Sequence, residues 1–304
     1  MDRRKFIQQT SAAASLTAIG GLTLPSFTTK KLKHVTILHT NDTHSHVEPF
    51  EASHHRHANK GGVARRATLV ENVRKENPNT LLLDAGDIFQ GTPYFNYFGG
   101  ELEFKLMSML KYDLATIGNH DFDNSIEGLY KQLPNANFNF VSANYNFKNT
   151  VLDTHVKPYQ IFKKDGIKIG IFGLGIQLEG LVNPKMYKET KYLDPIEISQ
   201  DMSRILKEEE QCDLIICLSH LGYYNRKNPT KISDLVLAKA TKNIDLIIGG
   251  DSHTFLPKPT IVKNADDKNV LVNQVGCYGI NVGRIDFYFD EEKNITSKGK
   301  SILV

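Results

Sequence analysis

Short apolar runs recur along the 304-residue chain, each breaking off into a polar loop, with amphipathic stretches between them. The runs "VTIL" (35–38), "TLLLDA" (80–85), "LATI" (114–117), "FNFV" (138–141), "IKIGIFGLG" (167–175), "LIICLS" (214–219) and "DLIIG" (245–249) have the length and β-branched content of buried strands. Between the first two, "GGVARRATLVENVRKENP" spaces Val63, Ala67, Val70 and Val73 as one helical face and stops at Pro78. "ELEFKLMSMLKY" (101–112), "SIEGLYKQL" (125–133), "EISQDMSRILKEEEQC" (197–212) and "ISDLVLAKATKN" (232–243) also read as helices. The tail segments "TIVKN", "NVLVNQVG" and "GRIDFYFD" read as strands separated by turn signals. Strands alternating with helices, then a run of strands, predict a layered α/β core with antiparallel additions.

The polar residues that end these runs share one character. "VTIL" leads to Asp42, His44 and His46, and "TLLLDA" to Gly86-Asp87. "LATI" leads to Gly118-Asn119-His120-Asp121, with Asp123 beyond; "LIICLS" leads to His220; "DLIIG" leads to Gly250-Asp251-Ser252-His253. In open α/β sheets, ligands gather at the carboxyl ends of the strands. One such residue reads as a cap or a satisfied polar side chain. Five strand ends in order, all supplying Asp, Asn or His, read as a metal-ligand set. "GLGIQLEG" (173–180) follows a strand without matching GxGxxG, and no P-loop occurs, so a nucleotide cofactor is not indicated.

The series Asp42-x-His44, Gly86-Asp87, Gly118-Asn119-His120-Asp121, His220 and Asp251-x-His253 resembles the calcineurin-like metallophosphoesterases. "LHTNDTHSH" (38–46) and "FQGTPYFNYFGG" (89–100) are similar to their 5′-nucleotidase branch, and the resemblance covers residues 34–289. It implies a four-layer αββα sandwich holding two divalent ions, from Mn, Mg, Zn, Fe or Co, about 3.5–4 Å apart. Carried over position by position, Asp42, His44 and His253 bind the first ion, and Asn119, His220 and Asp251 the second. Asp87 bridges them, His120 is the catalytic histidine and Asp123 the carboxylate that orients it.

The residue types suit that chemistry. Phosphate monoester hydrolysis is among the slowest uncatalysed reactions. Two cations neutralise the phosphoryl oxygens and lower the pKa of a shared water, so that a bridging hydroxide can attack phosphorus. A carboxylate can bridge two cations, which suits Asp87. His120 stands beside a ligand without being one, so as a cation it can stabilise the transferring group and protonate the leaving oxygen. Asp123, three residues on, can fix its tautomer.

One loop departs from the family pattern. Where the resemblance leads to His-x-His or His-x-Gln/Asn, this chain has Asp251-Ser252-His253, with Gly249-Gly250 expected to let the backbone turn tightly. If Asp251 coordinates, a third carboxylate joins Asp42 and Asp87, weakening the ions as Lewis acids and shifting preference toward Mn²⁺, Mg²⁺ or Fe²⁺. If it is too short to reach, the second site is weakened. His46 reads as a supporting group, a substrate contact or plain polar packing, His39 has no firm role, "HHRH" (54–57) reads as a solvated loop, and His34 and His155 receive no role.

Composition narrows the reading further. The net charge is +3, and Arg3, Arg4 and Lys5 account for most of it, so the near-neutral body excludes a dedicated nucleic-acid binder. The N-terminus "MDRRKFIQQTSAAASLTAIGGLTLPSF" suits a twin-arginine export signal over residues 1–28 and is too short and weak for a membrane span. Residues 29–304 are then one catalytic domain, periplasmic or otherwise exported. Three cysteines give neither a disulfide framework nor a CxxC pair; the spacing of Cys212 and Cys217 predicts opposite strand faces.

The expected function is hydrolysis of a small phosphate ester, nucleoside 5′-monophosphates first. The alternatives are 2′,3′-cyclic nucleotide or nucleotide-sugar hydrolysis, thiohydrolase chemistry, or a metal-binding subunit needing a separate chain. Two-domain nucleotidases of this family carry a C-terminal base-stacking domain. After "GRIDFYFD" only "EEKNITSKGKSILV" follows, so a separate substrate-recognition chain is expected.

Overall fold

In the computed structural model, which describes residues 32–304, the apolar runs form two six-stranded sheets. The first has the order β14 (Ile295–Leu303), β13 (Asn281–Phe289), β1 (Lys33–Thr40), β2 (Thr80–Asp84), β3 (Leu114–Ala115), β4 (Asn139–Phe140). The second runs β11 (Thr260–Lys263), β12 (Asn269–Asn273), β10 (Leu246–Gly249), β9 (Leu214–Ser219), β7 (Ile167–Leu174), β6 (Tyr159–Lys164). A ribbon of β5 (Tyr145–Asn146) and β8 (Lys191–Tyr192) stands apart.

The expected four layers are visible in how side chains alternate along each strand. Val35, Ile37, Leu81, Leu83, Ile216, Leu218, Leu246 and Ile248 point into one cluster shared by the two sheets. Their neighbours Leu38 and Leu82 point the other way, onto a cluster with the helices Val63–Glu76 and Glu101–Met109. On the far side, Ile215, Cys217 and Ile247 pack with Leu206 and Leu237, from the helical stretches on that face. Because both faces of each sheet are covered, the strands read as continuous apolar runs rather than as an alternation. Truncating to Ala a side chain enclosed this way costs about 2–5 kcal/mol.

The strands that lead into the polar loops run parallel within their sheets: β1, β2, β3 and β4 in one, β7, β9, β10 and β12 in the other. Their carboxyl ends therefore open on one edge of the sandwich.

Several boundaries differ from the sequence reading. β3 is only Leu114–Ala115; Thr116 after it still donates its backbone N–H to the Asp84 carbonyl and its hydroxyl to the Val141 carbonyl. Cys212 and Cys217 fall in the same outer cluster, not on opposite faces, because Cys212 lies before β9 begins and strand parity does not apply to it. The tail after "GRIDFYFD" is no remnant: Ile295–Leu303 pairs antiparallel with β13 along its length. β6 and the helix Pro93–Phe98 were not anticipated. Among the described residues, no helix is long and apolar enough to cross a membrane. The expected export signal lies outside them.

Candidate metal centre

Asp42, His44, Asp87, Asp251 and His253 all hold positive φ, between 48° and 69°. Non-glycine residues rarely do so, and Asp and His are among the types that tolerate it best. Each lies two to four residues beyond the end of β1, β2 or β10, in the loop that follows the strand. Small neighbours make room: a Cβ on Gly118 would lie 2.2 Å from Asp87 Oδ1, and one on Gly250 would lie 2.6 Å from His220 Nδ1. Gly249 and Gly250 do not have positive φ, so they serve close approach rather than the tight turn expected from the sequence.

Two groups of possible ligands result, Asp42–His44–His253 and Asp42–Asp87–His220, each with its ligand atoms within 4.8 Å of one another. His44 Nε2 and His253 Nε2 face each other at 3.0 Å. Two nitrogens about 2.1 Å from a common ion and at right angles to it stand about 3.0 Å apart, so the pair fits one cation. His220 donates Nδ1–H to the Ala85 carbonyl at 2.7 Å, and His44 Nδ1 faces the Phe89 and Gln90 carbonyls at 3.1 Å. Such bonds leave Nε2 as the ligand atom. Asp87 Oδ1 accepts the His120 N–H at 2.8 Å, while Oδ2 faces His220 Nε2 at 3.1 Å and His44 Nε2 at 3.8 Å. Asp87 Oδ2 thus faces one histidine of each group.

His220 Nε2 and Asn119 Oδ1 are among the buried side-chain atoms that lack a hydrogen-bond partner. A buried acceptor without a partner costs about 1–3 kcal/mol. Both belong to the expected second site, and a cation there would answer both. The charges point the same way. Burial opposes the cationic form of His220, yet Asp87 and Asp42 raise its pKa well above the usual histidine value. Burial also opposes charge on His253, but its contacts with Asp42 and Cys277 push it up to about 10. Burial disfavours the Asp87 carboxylate, but the imidazoles of His220, His44 and His120 hold its pKa well below the usual range. The carboxylates draw protons onto ligand histidines where divalent cations would otherwise balance them.

Asp251 lies in neither group. Its backbone N–H donates to Asp42 Oδ1 at 2.9 Å. Its Oδ2 lies beside Gly222, where an added Cβ would come within 2.9 Å. Burial raises its pKa, with Asp87 and Asp42 adding to the effect and His220 opposing it. His120 stands outside the ligand groups, its ring centre 5.3 Å from that of His44. Its Nδ1 lies 2.8 Å from Asp123 Oδ2.

Supporting residues were missed in the sequence. Asp121 is buried and accepts four backbone N–H groups, from Asp87 and Gly118 on Oδ2 and from Ile88 and Phe89 on Oδ1. It pins the Asp87 loop to the Asn119 loop. Asn41 donates to Asp42 Oδ2 at 2.5 Å and to the Gly276 carbonyl, and accepts from Val275 N–H. Gln274 joins the Asp251 loop through Gly250, Ser252 and Thr254. Each stands next to, or just beyond, a strand end, which sequence spacing alone does not distinguish from a cap. His39 is a neutral core residue, its pKa lowered by burial to about 3, with Nε2 2.8 Å from Asn273 Nδ2. The "HHRH" loop is less solvated than expected: His54 and His57 are half-buried and pack on Phe50, which also touches His46 and Tyr278.

A two-sheet sandwich whose parallel strand ends gather two Asp/His groups has the scaffold and donor set of a two-metal phosphoesterase. The family model for the calcineurin-like phosphoesterases matches residues 35–255, and the chain belongs to that family. That family uses a dinuclear divalent metal centre, into which these groups fit. Over 89% of its length the chain is 35% identical to the snake venom 5′-nucleotidase of Crotalus adamanteus, covering 48% of that protein. Over 88% it is 34% identical to the trifunctional nucleotide phosphoesterase protein YfkN of Bacillus subtilis (strain 168), covering 19% of it. The structure of a 5′-nucleotidase precursor from Thermus thermophilus superposes with a TM-score of 0.80 at 36% identity, over 89% of this chain and 54% of that one. The chain thus spans about half the length of two of these relatives and a fifth of the third.

Proposed function

We propose that this chain hydrolyses phosphate esters at a dinuclear metal centre, with nucleoside 5′-monophosphates as the leading substrates. The observation that carries the reading is the pair of Asp/His groups flanked by the orphaned Asn119 Oδ1. Asp42, His44 and His253 would hold one ion, Asn119 and His220 the other, and Asp87 both. When bound, the ions supply charge neutralisation of the phosphoryl oxygens and a more acidic water. His120, oriented by Asp123, holds a proton toward the leaving oxygen. The 5′-nucleotidases among the relatives support this substrate class ahead of cyclic nucleotides, nucleotide sugars or thiohydrolase chemistry. The reading includes export by a signal over residues 1–28 and one catalytic domain over 29–304. A separate recognition chain finds no support in the comparisons: the further length of these relatives belongs to the same polypeptide.

The test is a metal-reconstituted screen. After Mn²⁺ loading and desalting, two ions per chain are expected, with hydrolysis of p-nitrophenyl phosphate and AMP. Fewer than one ion per chain, or no hydrolysis of any ester with two ions bound, overturns the reading.

Asp251 completes the proposed second site. Asp251→Ala is then expected to lose that ion while the first remains. Asp251→His should stay active and move its activation from Mn²⁺ or Mg²⁺ toward Zn²⁺ or Co²⁺, which imidazole suits better. Two ions in the Ala variant, held as tightly as in the parent, would show that this carboxylate is not a ligand.

A further inference from the structure

Behind the turn that presents Asp42 and His44, three polar side chains from separate segments line a cavity of about 20 Å³. Ser45 comes from the turn, Arg66 from the helix Val63–Glu76 and Glu103 from the helix Glu101–Met109. Val47, Ile88 and Met107 give it apolar wall. Arg66 and Glu103 are each 5% exposed, and Ser45 is 3% exposed. Ser45 Oγ, Arg66 Nε and both carboxylate oxygens of Glu103 are buried without a hydrogen-bond partner. The two opposite charges therefore do not bond each other directly. Burial raises the Glu103 pKa, and the nearby Ser45 hydroxyl opposes the rise.

A cavity takes one water when it offers about 10–15 Å³ or more and two to four polar partners. This one meets both conditions, and its donors and acceptors match. A water there accepts the Arg66 Nε–H and donates to one Glu103 oxygen and to Ser45 Oγ. The Ser45 hydroxyl then donates to the other Glu103 oxygen. One molecule thus satisfies four atoms whose desolvation would otherwise go uncompensated.

The turn in front of the cavity needs support. Asp42, His44 and Ser45 stand at φ of 50°, 48° and 55°. Non-glycine residues persist there only when their surroundings over-determine the backbone. One side of the turn is tied to the Asp87 loop: His44 N–H donates to the Asp87 carbonyl at 3.1 Å, and Ser45 N–H to the Ile88 carbonyl at 2.9 Å. Arg66 reaches the other side, where its Nη1 fills the space that a Cβ on Gly279 would take. Next to that glycine, Tyr278 N–H donates to the Asp42 carbonyl at 2.7 Å. We infer that Arg66 and Glu103 are positioning residues for the first metal ion, joined through one enclosed water to Ser45 and so holding the turn that presents Asp42 and His44. This rests on the metal-centre reading above.

The experiment compares the parent with Arg66→Met/Glu103→Leu, Ser45→Ala and Glu103→Gln. Each is followed by calorimetric Mn²⁺ titration of the metal-free chain and by a thermal melt without metal, and the parent and the double variant also by a crystal structure fine enough to show waters. Replacing both buried charges by apolar groups of similar volume is close to neutral for stability, so the double variant should melt near the parent. Its Mn²⁺ affinity should fall about tenfold, as when groups behind metal ligands are removed. Ser45→Ala, which removes only the turn's share of the network, should weaken Mn²⁺ in the same direction. Glu103→Gln keeps an acceptor for the water and should stay close to the parent. The parent crystal should show one water within hydrogen-bond distance of Arg66 Nε, Glu103 and Ser45 Oγ, and the double variant should lose it, with residues 42–45 displaced. No water at that place in the parent overturns the proposal. So does a lowered melt with unchanged Mn²⁺ affinity, which makes the pair a support of the fold alone. A parent that binds no Mn²⁺ overturns the metal-centre reading and the proposal with it, whereas a parent with two ions beside an unaffected double variant overturns the proposal alone.

Discussion

Asp87→Asn is expected to lower kcat by about 10³-fold or more, the largest loss of any single change at the centre. Asp87 Oδ2 faces a histidine of each ligand group, at 3.1 and 3.8 Å. The amide keeps the shape but removes the charge, so both ions lose a ligand at once. Several kcal/mol of charge stabilisation depend on holding both, and about 4 kcal/mol corresponds to 10³ in rate. The amide also keeps an oxygen for the His120 N–H, now bonded to Oδ1 at 2.8 Å, so the fold should survive. The check pairs kinetics with metal analysis and a thermal melt. Content should fall from two ions to one or fewer with a melt close to the parent's. Near-normal turnover would show that Asp42, which belongs to both groups, bridges alone.

The layered α/β core and the strand ends were legible in the sequence because they rest on short-range pattern, while the four-layer arrangement came from the family resemblance. β1 and β2 are recognisable from their apolar runs, and the residues after them had to be polar because the chain leaves the core there. What could not be read depends on contacts between distant segments. Asp121 looks like another polar residue after a strand until its carboxylate is seen to gather N–H groups from two loops. The strand Ile295–Leu303 has too many polar residues to signal itself; it forms because β13 offers an edge. Gly249-Gly250 suggested backbone freedom, whereas the structure uses the missing Cβ to admit the Asp234 carboxylate and the His220 ring. The placement of Asp251 is a matter of reach, which no spacing rule measures.

His120→Ala should lower kcat on AMP by about 10²–10⁴-fold while leaving both ions in place. The imidazole belongs to neither ligand group, and its residue's backbone N–H is bonded to Asp87, so on the proposed reading it would reach the phosphoryl group without holding a metal. Asp123 Oδ2 lies 2.8 Å from its Nδ1, which leaves Nε2 to serve the leaving oxygen. That hydrogen bond is the main reason its pKa is raised, with burial opposing and Asp87 assisting. The cationic acid therefore persists to higher pH than an ordinary histidine would allow. Asp123→Asn removes the charge that sustains it. It should cost about 10–100-fold and move the alkaline limb of the pH–rate profile to lower pH. Leaving-group dependence separates the two roles open to His120. Alkoxide departure from AMP needs a proton, whereas nitrophenolate departs as a stable anion. An acid role predicts a large loss on AMP and a small one on p-nitrophenyl phosphate. Equal losses on both would place the cation on the transferring phosphoryl oxygens instead, and loss of an ion in the Ala variant would make His120 a ligand.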